Sequence, residues 1–123
     1  MSTLTIAIAQ SNFTIGALTA NTDNIIECAQ AAIDQNADVV CFPELAITSY
    51  PPEDLLLVPH FIARVQAQLE RLCSAQLPIA VVVGYPAFKS GKLMNRISVI
   101  DHGNITATYD KQCLPNYGVF DEA

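Results

Sequence analysis

Two charged residues stand where apolar runs of the sequence give out. Glu44 follows "DVVCFP", and Lys111 follows "ITATYD". A carboxylate partly withdrawn from water gains proton affinity, and a neighbouring ammonium stabilises negative charge. Such a pair can serve as a general base with an electrostatic partner. The same two residues also fit an ordinary ion pair or a solvated loop carboxylate. In an extended strand, residues two apart share a face, so Val40, Phe42 and Glu44 point one way and Cys41 the other.

A nucleophile is harder to place. The cysteines are Cys28, Cys41, Cys73 and Cys113, at long and irregular gaps with no C-x-x-C pair. With the lone His60 and His102 they make no zinc set, so no metal site is expected. Cys28 and Cys73 fall on predicted helices, where burial accounts for them. Cys41 faces away from Glu44, while Cys113, two residues beyond Lys111, can share its face. All four read as reduced thiols, most of them small buried hydrophobes.

The elements that must position these groups alternate. Leu4 to Ala9 is a short β-rich run. Asn21 to Gln35 has helical periodicity, with Ile25, Ile26, Ala29, Ala32 and Ile33 on one face. Asn21 or Thr22 can cap its start, and Asn36 suits a left-handed stop. Asp38 to Phe42 is a continuous apolar run, as in a strand covered on both faces. Glu53 to Leu57 suggests a helical turn. Pro59 to Ala75 is a second helix, with Pro59 in its first turn and a stripe of Phe61, Ile62, Val65, Leu69 and Leu72. Ile79 to Val83 is a third strand, and Gly84, Pro86 and "KSGK" signal turns. "RISVID" and "ITATYD" form a hairpin around His102-Gly103, with Asp101 or Asn104 sharing the turn. The order β-α-β-α-β-β-β indicates an α/β fold on a mixed sheet. Glu44 and Lys111 then sit at carboxyl ends of strands, where such sheets place ligand groups.

Composition narrows the function classes. The chain of 123 residues allows one domain at most, and at 51% hydrophobic and 15% charged it should fold around a core. A net charge of −6 argues against a nucleic-acid surface. The opening "MSTLTIAIAQSNF" lacks a basic start and a long apolar core, so it reads as a strand and not as a signal peptide. No apolar run approaches the ~20 residues that span a bilayer. No membrane association is expected, and a cytoplasmic setting is. Neither G-x-G-x-x-G nor G-x-x-x-x-G-K-[ST] occurs, so the chain by itself should bind neither NAD⁺ nor ATP.

Three stretches carry a resemblance: "IAIAQSNFTIGALTAN", "CFPELAITSYPPEDLL" and "NRISVIDHGNITATYDKQCLPNYGVFDE". They resemble the nitrilase (carbon–nitrogen hydrolase) superfamily through "F-P-E-L" and "Y-x-K-x-x-L-P". "Y-P-P-E-D-L-L" and "L-P-N-Y-G-V-F-D-E" resemble, more narrowly, the glutaminase domains of its glutamine-dependent NAD⁺ synthetase branch. The resemblance implies a partial αββα nitrilase-type sandwich, with residues 1–123 as the amino-terminal portion of an incomplete domain. It implies a Glu–Lys–Cys triad in which Glu44 is the general base and Lys111 stabilises the tetrahedral intermediate. Glu122 matches a second glutamate that positions the triad, and Tyr117 lies in the segment lining the substrate pocket. The nucleophilic cysteine of the family lies on a later strand, beyond these 123 residues, and Cys113 falls inside the lysine motif instead.

The implied chemistry is hydrolysis of glutamine or another small amide through a thioester, without metal or organic cofactor. ATP, Mg and deamido-NAD⁺ are expected only in a synthetase domain outside this chain. The remainder of the domain and that synthetase domain are the expected partners, in a homo-oligomer at full length. The alternatives are another nitrilase-type amidase, such as an ω-amidase or carbamoylase relative, and a truncated binding module without activity. By itself the chain is expected to be inactive.

Overall fold

The computed structural model describes residues 4–9, 17–43, 47 and 59–112. Five strands and two helices follow one another as β1 (Ile6–Ile8), α1 (Leu18–Asp34), β2 (Val39–Cys41), α2 (Pro59–Ser74), β3 (Ala80–Lys89), β4 (Lys92–Asp101) and β5 (Asn104–Gln112). The strands form one sheet in the order β1-β2-β3-β4-β5. The pairs β1–β2 and β2–β3 are parallel, while β3–β4 and β4–β5 are antiparallel. The sheet is therefore mixed, as the element order implies.

Cross-strand partners share a face. Ala7, Val40, Val81 and Ile100 form one such row across the sheet. Val40, Val81 and Ile100 are buried, and Ala7 packs against the same core. From α1 that core takes Leu18, Ile25, Ala29 and Ala32, and from α2 it takes Phe61, Val65, Leu69 and Leu72. Both helices thus cover one face of the sheet with stripes of helical period. The opposite face carries Ile6, Ile8 and Tyr109, which are 53%, 71% and 65% exposed.

Helix α1 starts a turn earlier than its sequence signals suggest. Asn21 and Thr22, which read as caps, lie inside the helix and are buried. The Asn21 side-chain amide donates to the Ile47 carbonyl at 3.0 Å, and the Thr22 hydroxyl donates back to the Leu18 carbonyl at 2.9 Å. Tertiary and i−4 bonds satisfy these polar groups, so they need no helix terminus. The stop at Asn36 is as expected. Its φ is 63°, and the Ala37 amide reaches the Ala32 carbonyl at 3.0 Å, the six-to-one bond of a Schellman motif. Helix α2 agrees with its expected span to within one residue at its end.

Strand β3 runs through Gly84 and Pro86, which read as turn residues in the sequence; both are buried within the strand. Pro86 lacks an N–H, yet β2 pairs with β3 only through Val82 among the described residues. Past that point β3 needs donors on its β4 side alone, which a proline facing away from β4 tolerates. The turns fall at Ser90-Gly91, within the "KSGK" stretch, and at His102-Gly103, both as expected. All four residues have positive φ, as two-residue hairpins of type I′ require.

Candidate active site

Lys111 lies on β5 opposite Asn95 of β4, which in turn pairs with Pro86 of β3. That row belongs to the face opposite the helices, and Lys111 is exposed there. Strand β5 runs in the same direction as β1, β2 and β3, because two antiparallel steps restore it. The carboxyl end of β2 and the carboxyl end of β5 therefore lie at one end of the sheet. The Phe42 amide still donates to the Val82 carbonyl at 3.0 Å, just past the end of β2. Glu44 itself, Cys113, Tyr117, Glu122 and the expected turn at Glu53 to Leu57 lie outside the described residues. Strands β2 and β5 are three ladder spacings apart, roughly 14 Å.

On the face covered by the helices, the next row is Tyr85, Arg96 and Asp110. Arg96 Nε donates to Asp110 Oδ1 at 2.6 Å and Nη2 donates to Oδ2 at 3.0 Å, a bidentate charge-assisted fork. Lys89 Nζ stands 3.8 Å from the same carboxylate. The fork's hydrogen bonds hold the Asp110 carboxyl below its ordinary range, against an opposing effect of burial, and the positive charges of Arg96 and Lys89 assist. Beside it the Tyr85 hydroxyl meets Ser98 Oγ at 2.8 Å, and Ser98 Oγ meets Thr108 Oγ1 at 3.3 Å. Burial pushes the Tyr85 phenol up, while Ser98 and Arg96 pull the other way. This network is absent from the sequence reading. Its signal is the placing of Tyr85, Arg96, Ser98, Thr108 and Asp110 at strand positions that alternate with outward ones.

Cys28, Cys41 and Cys73 carry no disulfide, and each is only partly buried, less than the sequence suggests. Cys41 pairs with Ile8 and Val82, on the face away from buried Val40. Burial, with help from Glu70, pushes the Cys73 thiol up, away from the thiolate a nucleophile needs. Among the described residues no three His, Cys, Asp or Glu side chains gather into a metal site. No described helix is long and apolar enough to cross a membrane.

The described strands and helices form one α/β layer, with Lys111 near the carboxyl end of β5. The carbon–nitrogen hydrolase family profile matches residues 5–122, and the chain belongs to that family. Over 121 residues it is 53% identical to a glutamine-dependent NAD(+) synthetase of Xanthomonas campestris pv. campestris, covering 98% of this chain and 22% of the relative. The crystal structure of a glutamine-dependent NAD(+) synthetase from Cytophaga hutchinsonii superimposes with a TM-score of 0.85 at 29% identity, over 94% of this chain and 20% of the other. The synthetase of Acinetobacter baumannii, in complex with ADP, gives 0.84 at 39% identity, over 95% of this chain and 22% of the other. The chain thus spans about a fifth of the length of these relatives.

Proposed function

We propose that this chain is the amino-terminal part of a glutaminase domain that releases ammonia from glutamine for NAD⁺ synthesis. The observation that carries the reading is the 53% identity to a glutamine-dependent NAD(+) synthetase over 98% of the chain. The position of Lys111, exposed at the end of the sheet where the parallel strands finish, supports it.

An amide carbonyl is a weak electrophile, so a thiolate must attack it while its developing oxyanion is stabilised. In this reading the cysteine is contributed by chain beyond residue 123. Glu44 takes the thiol proton and returns it to the departing nitrogen, so that ammonia leaves neutral and a thioester remains. Lys111 supplies positive charge where the carbonyl oxygen becomes negative. Glu122 orients the triad, and Tyr117 lines the glutamine pocket. Water then hydrolyses the thioester to glutamate. This half-reaction needs no metal or cofactor, whereas ATP, Mg and deamido-NAD⁺ belong to a synthetase domain that consumes the ammonia in a cytoplasmic homo-oligomer.

The test is ammonia release from glutamine by the full-length protein. Glu44→Gln and Lys111→Ala should each lower kcat by roughly a hundredfold or more. Turnover of ω-amides or carbamoyl compounds in preference to glutamine would favour another amidase of the family. Full activity in both variants would overturn the assignment.

A further inference from the structure

The hairpin of β4 and β5 contains an irregularity that decides which face Lys111 occupies. Next to the turn the pairs are Asp101 with Asn104 and Ile100 with Ile105. The following pair is Val99 with Ala107, so Thr106 is an extra residue with no opposite number, and its hydroxyl donates to the Val99 carbonyl at 3.4 Å. From there on β5 is displaced by one position, through Arg96 with Asp110 and Asn95 with Lys111. If Thr106 were instead paired with Val99 in a regular ladder, every later residue would change face. Lys111 would then stand opposite Met94, on the face the helices cover, and Asp110 would stand opposite Asn95.

Two registers therefore compete, and the regular one spares the hairpin its bulge. What opposes it is the row of polar contacts beyond the bulge. The bidentate fork from Arg96 to Asp110 exists only in the bulged register, as does the Ser98–Thr108 contact that continues to buried Tyr85. In the regular register Arg96 would face Tyr109, Ser98 would face Ala107, and the guanidinium would lose both of its carboxylate bonds. We propose that Arg96 and Asp110 are positioning residues for Lys111, their fork selecting the bulged register that presents the lysine on the open face of the sheet. The value of that register to catalysis rests on the role given to Lys111 above; the register choice itself does not.

The fork also makes a suppressor test available. Removing Thr106 abolishes the choice, because an uninterrupted hairpin then places Lys111 opposite Asn95 without help. In the full-length protein, Arg96→Ala should lower the glutamine-dependent kcat tenfold or more, in keeping with the sensitivity of catalysis to displacements of about 1 Å. Glutamine KM and the rate with ammonia supplied directly should stay within twofold. Deletion of Thr106 in the Arg96→Ala background should restore most of the lost kcat, which recovery from a general loss of stability would not do. Should Arg96→Ala lose the ammonia-dependent rate as well, Asp110→Asn, which keeps the side-chain shape, replaces it in the same pair of measurements. A crystal structure of the variant reads the register directly, with Lys111 expected opposite Met94. An unchanged kcat with Lys111 still opposite Asn95 would overturn the proposal. Full activity of Lys111→Ala would instead overturn the role of the lysine and leave the register to be judged from that crystal structure.

Discussion

Gly103 and Gly91 form a matched pair that isolates a single tertiary contact. Each is the second residue of a two-residue hairpin turn, with φ of +88° and +79°. Replacing either with alanine places a Cβ on a left-handed residue, at a cost of about 1–2 kcal/mol. At Gly91 nothing lies within 4 Å of the new atom, so the cost ends there. At Gly103 the Cβ would stand 2.7 Å from the Cys73 backbone oxygen, 3.0 Å from Gln76 Cγ and 3.2 Å from Gln76 Cα. Two of those neighbours are backbone atoms at the end of α2, which cannot rotate aside. Overpacking of that kind adds about 1–3 kcal/mol. Gly103→Ala should therefore raise the opening of its β4–β5 hairpin roughly ten- to a hundredfold more than Gly91→Ala raises that of the β3–β4 hairpin, at 1.4 kcal/mol per factor of ten. Hydrogen exchange of the β3, β4 and β5 amides in the full-length protein measures both openings directly. Equal exchange in the two variants would refute the reasoning, since it would mean that the hairpin turn does not rest on the end of α2.

Three further outcomes follow from the same contacts. Asp110 has a depressed pKa in the folded chain, so its stabilising contribution is complete above the unfolded-chain value near ~3.9 and is lost as pH falls through the lower folded value. Asp110→Asn should lower the urea midpoint at neutral pH, with the gap to the parent protein narrowing below about pH 4; a gap independent of pH would contradict this. Tyr85→Phe removes one buried hydroxyl but leaves Ser98 its contact with Thr108, so a loss of about 1 kcal/mol in a denaturant titration is expected. Residues 1–123 produced alone should self-associate through the face bearing Ile6, Ile8 and Tyr109, and should release no ammonia from glutamine. A monomer by size-exclusion chromatography with one sharp thermal transition would show that this face needs no cover.

Local periodicity was enough for much of this fold. The stripe from Phe61 to Leu72 and the one through Ile25, Ala29 and Ala32 define α2 and α1 because helical spacing is a property of neighbouring residues. Asn36 and the His102-Gly103 pair mark their turns for the same reason: a positive φ is tolerated by few residue types. The motifs around Glu44 and Lys111 likewise carry the family, and Lys111 is on a strand end where it was expected. What local pattern could not supply was the partner of each strand. Gly84 and Pro86 read as breakers, but β4 pairs through them and β2 does not need their donors, so β3 runs to Lys89. Asn21 and Thr22 read as caps, but Ile47 and Leu18 satisfy them in mid-helix. Alternation along β5 allows two registers and names neither Thr106 as the extra residue nor the face of Lys111. That choice belongs to the tertiary structure, because it depends on Arg96 of the neighbouring strand reaching Asp110 with both ends of its guanidinium.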